Sequence, residues 1–339
     1  MSNADARVMS SIFDALPGQE TPVGAISKNL ARLWASAAVA APGDVRPGDD
    51  AKATQVNFVL HLGMYTTPED ALAQFQTAVR FSRRYPCRVV VLCPNRDEQN
   101  RDGELRAKVY GECHPGKTRG DLRCCEFVML SYPSSARRFL ENQVSICFST
   151  DLPVYYWAHN FSSSAKLGNY QYLLAKAKRV LIDHSLVPSD DGGELSWPRP
   201  EAVRDLAHAR LLPIRQTIGQ FLSAFAPAAL ADGIAGVTVR HGSARRAEAR
   251  VLAEWSRARL VACGAPASLP SRVEFSASAA AHAVELVFSY GNVQTFRFEG
   301  DFAQGCARLS AHFRGAAHEI STPINLLSPE AALAEAMFF

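Results

Sequence analysis

Long apolar runs are missing from this chain. Its most apolar stretch, Trp34 to Ala41, falls far short of the ~20 residues a membrane-spanning helix needs, so a membrane partner is not expected. The first twenty residues have neither a basic start nor an apolar middle. They do not read as a secretory leader, and the expectation is a cytoplasmic protein. An excess of one charge is missing too: 36 Lys and Arg stand against 33 Asp and Glu, interspersed, for a net charge of +3. Nucleic-acid binding calls for basic residues gathered on one face, so no nucleic-acid partner is expected. There is no internal repeat and no low-complexity tract.

Three chemical signatures are absent as well. Without a Cys-x-x-Cys pair, a structural metal has little to hold it. Without Gly-x-Gly-x-x-Gly, no nicotinamide or flavin cofactor is indicated. Without Gly-x-Ser-x-Gly, there is no nucleophile elbow. The expectation is therefore no catalytic residues, no cofactor and no metal. The eight cysteines are expected to be thiols, as in a reducing compartment.

What is present is a chain of 339 residues, 47% hydrophobic, enough for two domains with substantial cores. The first 50 residues read as a separate region, an amphipathic helix over Ile26–Val39 followed by a Pro/Gly/Asp-rich linker. Residues 51–187 read as an α/β domain. Strands are predicted at Gln55–Leu62, Cys87–Cys93, Arg106–Cys113, Leu122–Tyr132, Val154–Ala158 and Arg179–Asp183. Helices are predicted between them, the clearest starting at Thr67-Pro68-Glu69-Asp70, with a capping hydroxyl, a proline in the first turn and acids at the positive end of the dipole. Leu72, Phe75, Val79 and Ser82 mark its inner face. Strands alternating with helices imply a largely parallel sheet with helices on both faces.

A Pro/Gly/Asp-rich stretch over Leu186–Pro200 marks the boundary to a smaller α+β domain, residues 201–320, with 321–339 as a tail or helix. This part opens with a helical stretch over Glu201–Phe225 interrupted at Pro213, then a strand at Gly236–Arg240 and a helix at Ser243–Leu260. Its last third reads as an antiparallel meander over Arg272–Ser278, Val284–Tyr290, Val293–Glu299 and Cys306–Phe313, with Gly291-Asn292 as a two-residue turn.

Several local patterns bear on chemistry. His114 to Thr118 resembles the end of a phosphate loop but lacks its upstream glycine and a following helix, so it reads as a turn. Cys113, His114, Cys124 and Cys125 are close in sequence, but neighbours on a strand face opposite ways, so no metal site is expected and the cysteines read as buried thiols. His61, His159 and His184 lie at or near strand ends and read as hydrogen-bonded structural histidines. The acidic pairs Asp97-Glu98 and Asp190-Asp191 fall in polar loops. The stretch Arg240 to Arg246 joins a strand to a helix. Basic residues there oppose the helix dipole, which an anion on Arg240, Ser243, Arg245 and Arg246 would relieve. Cys263, in a Gly/Pro loop, and Cys306, alternating with polar residues, are the candidate redox thiols.

Several blocks taken together resemble one family. Arg83 to Leu92 (RRYPCRVVVL), Cys124-Cys125-Glu126, Asp151-Leu152-Pro153-Val154 with Tyr156-Trp157, Lys178 to Ser185 (KRVLIDHS), Arg204 to Ala207 running on to Ile214-Arg215-Gln216, and the helix Ala247 to Leu260 occur in the family's order. On these the chain resembles the OpcA-type glucose-6-phosphate dehydrogenase assembly proteins from about Gln55 to Leu260. Tyr156 and His208 stand where the family often has tryptophan. The resemblance implies a non-enzymatic partner of glucose-6-phosphate dehydrogenase that promotes its active oligomer in the oxidative pentose phosphate pathway. In cyanobacteria it also implies redox control through thioredoxin. Such a factor should expose apolar surface, for which Leu30, Leu33 and Trp34 of the N-terminal helix and Trp255 are the candidates. The alternative is a sugar-phosphate-binding protein or enzyme with a site at the strand ends near Trp157, His159, Asp183 and His184.

Overall fold

The computed structural model describes residues 11–40, 55–95, 104–115, 122–148, 151–161, 164–186 and 197–339. The linker expected after the N-terminal helix, the turn around Lys117 and both acidic pairs lie outside the described residues. The chain divides into two compact units: residues 1–205 with 336–339, and residues 206–335.

The first unit is built on an eight-stranded sheet. In chain order the strands are β1 (Gln19–Thr21), β2 (Val56–Leu62), β3 (Cys87–Pro94), β4 (Arg106–Pro115), β5 (Leu122–Tyr132), β6 (Val154–His159), β7 (Arg179–Ile182) and β8 (Val203–Asp205). They lie in the order β1-β4-β5-β3-β2-β6-β7-β8. The run from β5 to β8 is parallel, while β4 and β1 pair antiparallel at one edge. The near-continuous apolar runs of β2 and β3 follow from cover on both faces.

One face carries α2 (Ile26–Ala40), α4 (Leu140–Cys147) and α5 (Gln171–Lys176), whose Ile26, Leu30, Leu140, Val144 and Leu173 pack with Val59, Val90, Val128 and Tyr156 of the strands. The other face carries α3 (Pro68–Arg84), with Phe75 against Phe127 at 4.7 Å between ring centres and Phe81 against Phe58 at 5.6 Å. Phe338 also lies on Phe81, Tyr85 and Tyr155. The start of α3 is as the sequence predicts: Asp70 N–H donates to the Thr67 hydroxyl at 3.2 Å and Pro68 occupies the first turn. Its inner face is not quite as predicted, because Leu72 is exposed and Ala71, Ala78 and Phe81 are buried in its place.

The N-terminal region is not separate from this unit. Strand β1 pairs with β4, and the short helix α1 (Ile12–Ala15) buries Ile12 and Phe13. The Lys108 ammonium, itself buried, donates to the carbonyls of Phe13 (2.8 Å) and Leu16 (3.1 Å) and sits over the Phe13 ring. A buried ammonium is costly unless its protons are used, and these carbonyls use them.

The expectation of eight thiols is also corrected. Strands β4 and β5 form a hairpin whose register sets Cys113 directly opposite Cys124, with Cα atoms 4.1 Å apart, and the two are disulfide-bonded. Cys125, the next residue, faces the other way and is a buried free thiol.

The second unit pairs one sheet with a layer of helices. Its helices are α6 (Leu206–Arg210), α7 (Leu212–Leu222), α8 (Pro227–Ala231) and α9 (Arg246–Ala262), and α10 (Pro329–Phe338) begins here. Its strands are β9 (Ile234–His241), β10 (Ser271–Phe275), β11 (Ala283–Tyr290), β12 (Thr295–Asp301), β13 (Cys306–Phe313) and β14 (Ala316–Pro323), in the order β10-β9-β11-β12-β13-β14. All neighbours are antiparallel except β10 with β9. Alternate residues Phe296, Phe298, Leu286, Phe288 and Leu309 face the helices and join Ile214, Ile218 and Leu252 in one core. The other face is ionic: Arg240, Glu285 and Arg297 connect at 2.9 and 3.3 Å, and Arg308 meets Glu319 at 2.7 Å.

Two local expectations differ here. The helical stretch is broken as expected near Pro213, at Leu211 between α6 and α7, with Pro213 in the first turn of α7, where its missing N–H costs nothing, but its opening residues hold β8 and not helix. The β11–β12 connection is longer than two residues, with Ser289 opposite Thr295 and the Asn292 side chain accepting from Gln294 N–H at 2.8 Å. The two-residue turn is at Arg314-Gly315, both at positive φ (51° and 79°), and it leads into β14.

The buried Phe296 ring lies 4.7 Å from Phe288 and 6.0 Å from Phe221, centre to centre. Phe296→Ala is expected to remove about 3–5 kcal/mol of stability, read as a lower denaturant midpoint for the full chain.

Candidate functional site

Strand β2 runs into α3 and on to β3 on one side, while β6 flanks β2 on the other. In an open parallel sheet this reversal leaves a crevice beyond the carboxyl ends of the strands. The two strand ends there approach closely. Gly63 N–H donates to the His159 carbonyl at 2.7 Å, and a Cβ on Gly63 would fall 1.9 Å from the Asn160 carbonyl oxygen, so no larger residue fits. A cavity of about 520 Å³ opens beside them, lined from β2 by His61, from the end of β5 by Tyr132, and by Tyr65, Arg137, Phe161, Lys166 and Tyr170.

His61 is fully buried at the back of this cavity, and both of its ring nitrogens are occupied. Nδ1 is 2.6 Å from the Tyr156 hydroxyl and Nε2 is 2.6 Å from the Tyr132 hydroxyl. Tyr132 in turn is 2.8 Å from the Tyr170 hydroxyl, which Arg137 also donates to. Burial, helped by the Arg137 charge, brings the imidazole down to about 3, so the ring is neutral. A neutral ring donates from one nitrogen only. The Tyr156 hydroxyl is buried with His61 as its partner, so its proton goes to Nδ1. The order of donation then follows: Tyr156 to His61, His61 Nε2–H to Tyr132, Tyr132 to Tyr170. The proton left over is that of Tyr170, on the cavity wall.

Arg137 ends the chain with a second donor. Its Nη2 reaches the Ser134 hydroxyl only at 3.4 Å, and its Nε is buried with no partner among the described residues. The Lys166 ammonium lies 5.0 Å from the centre of the Tyr65 ring. The described lining therefore carries two cations and no carboxylate.

The residues expected at the strand ends are elsewhere. Side chains alternate along β6, so Trp157 and His159 face α3 while Tyr156 faces the cavity side. His159 Nε2 meets the Asp70 carboxylate of α3 at 2.8 Å. Burial opposes ionisation of Asp70, but hydrogen bonds from His159 and Gln74 outweigh it and hold the carboxyl below its usual range. His184 pairs with Asp205 at 3.1 Å, and Ser185 turns onto Asp183.

The predicted anion residues of the second unit are divided. Arg240 is held by Glu274 (3.1 Å) and Glu285 (2.9 Å), and Arg245 by Glu248 (3.4 Å), so carboxylates already offset the charge at the head of α9. Ser243 and Arg246 line a cavity of about 760 Å³ with His241 and Arg250.

Of the expected partner-binding residues, Leu30 is not on the surface but in the core under α2, where its row of apolar residues meets the sheet. Leu33 and Trp255 are half-buried against their respective cores, and the Trp34 side chain lies outside the described residues. Cys263 caps α9 and is half-buried, while Cys306 is exposed at the start of β13. Among the described residues, no group of His, Cys, Asp and Glu is arranged to hold a metal ion, and no helix is long and apolar enough to cross a membrane.

Sequence reasoning named His61 but not its setting. The signal was a histidine inside an otherwise apolar strand, QVNFVLHL, followed at once by Gly63. Its tyrosine partners lie 71 and 95 residues away and meet it only through strand order.

Residues 78–196 match the family model described as the glucose-6-phosphate dehydrogenase subunit N-terminal domain, which supports the resemblance seen in the sequence. No curated protein matches the chain. Among solved structures, KijD10, a 3-ketoreductase from Actinomadura kijaniata in complex with TDP-benzene and NADP, aligns at 9% identity and a TM-score of 0.38, over 84% of this chain and 89% of that one. That likeness is too slight to carry an argument.

Two outcomes are expected. Between its ordinary value of 6.5 and about 3, the native chain keeps His61 neutral while the unfolded chain protonates it. Stability from this group is thus complete above 6.5 and declines as pH falls, by about 1.4 kcal/mol per pH unit. His61→Gln should flatten that part of the decline in denaturation curves between pH 6.5 and 5. For the cysteines, burial raises Cys125 and Cys147 to about 11 and also raises Cys87 and Cys93. Native alkylation followed by peptide mapping should therefore mark Cys306 first and leave these four untouched. Cys113 and Cys124 should label only after reduction.

Proposed function

Proceeding from the match of residues 78–196 to the OpcA-type glucose-6-phosphate dehydrogenase assembly family, we propose that this chain binds glucose-6-phosphate dehydrogenase and favours its active assembly. In this reading it acts in the oxidative pentose phosphate pathway by binding, not by catalysis. That match is the observation that carries the reading. It begins in α3 and takes in β3 through β7, the centre of the first unit's sheet.

The mechanism is one of linkage. A factor with no chemistry of its own changes a partner's activity only by binding the active form more tightly than the inactive one, and the population shifts by that difference. Within the matched segment two large apolar side chains stand exposed on the turn that leads into and through α4. They are Phe139 (52% exposed), which ends the 3-10 helix Ser134–Phe139, and Ile146 (68% exposed), in the last turn of α4. Exposed apolar side chains close together in the matched segment are candidates for cover by a protein partner. This pair replaces Leu30, whose burial removes it from the surface.

The test is a titration of the chain into glucose-6-phosphate dehydrogenase from the same organism, following NADPH production and particle mass together. The expected outcome is a saturable rise in rate with a shift to larger mass. Ile146→Glu should weaken the half-saturation point about tenfold or more while leaving the melting temperature unchanged. A flat rate at constant mass would remove the reading. Repeating the titration with dithiothreitol shows whether the Cys113–Cys124 bond or the thiols Cys263 and Cys306 bear on the association, as a thioredoxin link would require.

A further inference from the structure

Strand β10 is an edge of the second unit's sheet, and all of its residues, Ser271–Phe275, are exposed. Its backbone directions follow from its bonds toward β9. The Pro270 carbonyl accepts from Val237 N–H and Ser276 N–H donates to the His241 carbonyl, each at 3.0 Å, so Arg272 and Glu274 between them also turn their polar backbone groups to β9. Alternation then sends the N–H and C=O groups of Ser271, Val273 and Phe275 to the open side. On the solvent face of the sheet a row of alternating charges, Arg297, Glu285, Arg240 and Glu274, crosses four strands and stops at this edge on Glu274. Arg272 stands two residues before it on the same face and has no ion-pair partner among the described residues. On the other face the exposed side chains of Val273 and Phe275 form, with Arg246, Arg250 and Glu254 of α9, the cavity of about 760 Å³.

We propose that β10 pairs antiparallel with β10 of a second copy of this chain, about a two-fold axis through Val273. Charged side chains on an edge strand ordinarily guard it against pairing. Here their order makes the strand complementary to itself. Arg272 of each copy lies opposite Glu274 of the other, so the charge row continues across the axis in both directions. Val273 meets Val273, and Ser271 meets Phe275. These are the residues that turn their backbone outward, so every N–H and C=O that β10 directs to its open side finds a partner. A shift of two residues sets Arg272 against Arg272 or Glu274 against Glu274, and a shift of one sets a charged residue against Val273 on the wrong face. The strand's own sequence therefore fixes the register. The axis also turns the Glu254 end of one groove toward the Arg246 end of the other. The Ser271 hydroxyl is 3.5 Å from the Ala253 carbonyl, next to Glu254, and Phe275 lies by His241, which leads into the head of α9. The pairing concerns this chain alone and does not depend on the dehydrogenase association.

The experiment is sedimentation velocity on the full chain, without any partner, over roughly 1 to 100 µM, the range in which a small interface associates. A reversible shift from the mass of one chain to that of two is expected. Arg272→Glu sets like charges opposite each other on both sides of the axis and should weaken the dimer about tenfold or more, and Glu274→Arg should do the same with the opposite sign. An equimolar mixture of the two variants should dimerise again, because each supplies the charge that the other lacks. Melting temperatures check that both variants are folded, as exposed substitutions should leave them. Val273→Pro removes an N–H directed to the open side and none bonded to β9, so it should abolish the pairing while the chain stays folded. The mass of one chain at every concentration overturns the proposal. So does a dimer that either charge reversal leaves undiminished, and so does a mixture no more associated than its components.

Discussion

An imidazole inside a parallel sheet must be neutral, and both of its nitrogens must be met, or the strand that carries it would not stay buried. His61 satisfies this with two tyrosine hydroxyls at 2.6 Å, and the consequences spread outward from those two bonds. Tyr156 comes from the neighbouring strand β6, so its bond fixes the β2–β6 register on the side where Ala158 lies opposite His61. Tyr132 comes from the end of β5, two strands away on the other side, and its bond to Tyr170 brings in the 3-10 helix at Ser164–Tyr170. Three strands and a helix are thereby tied at the carboxyl end of the sheet, where loops alone would otherwise set their positions. The rigidity of the crevice follows from a polar chain in which each hydroxyl has a defined role.

The alternation of side chains along a strand sorts the histidines of this region into different roles. His61 and His159 lie one residue apart in register, Leu62 being opposite His159, so they face opposite sides of the sheet. His159 joins Asp70 and helps seat the start of α3, while His61 serves the cavity. Gly63 sits between these roles, since the chain must pass within contact distance of Asn160, itself at φ 52°, to bring the two strand ends together. The same period of two separates Cys124, bonded to Cys113, from Cys125, which is buried with its thiol donating to the Glu112 carbonyl at 3.4 Å.

Much of this fold was legible in the sequence because it rests on local signals. The continuous apolar runs of β2 and β3, the cap and proline of α3, and the alternation of Phe296 and Phe298 against Arg297 and Glu299 each announced their element and its inner face. What was missed depends on distant partners. Strand β8 is three residues long and exists because β7 offers a parallel edge, and β14 is made of small and polar residues that pair with β13 across the Arg314-Gly315 turn. Leu30 read as a surface residue because a helix face shows its period but not what covers it. The cavity was legible only as a single histidine out of place in an apolar strand. Its tyrosines and cations come from four other segments, and sequence spacing carries no trace of their meeting.

The chemistry of the crevice bears on what kind of protein this is. A general acid or base must change its protonation state near neutral pH and must reach its substrate with a free lone pair or proton. His61 does neither, because its nitrogens are both taken and burial holds it neutral down to about 3. Burial raises Tyr132 and Tyr170 above the usual phenol range, the latter against the opposing pull of Tyr132 and Arg137, so both remain donors and not bases. The described wall has no carboxylate and no thiol to act in their place. The described wall of the crevice therefore presents fixed donors and aromatic faces, held in place by the hydrogen-bond chain that starts at His61.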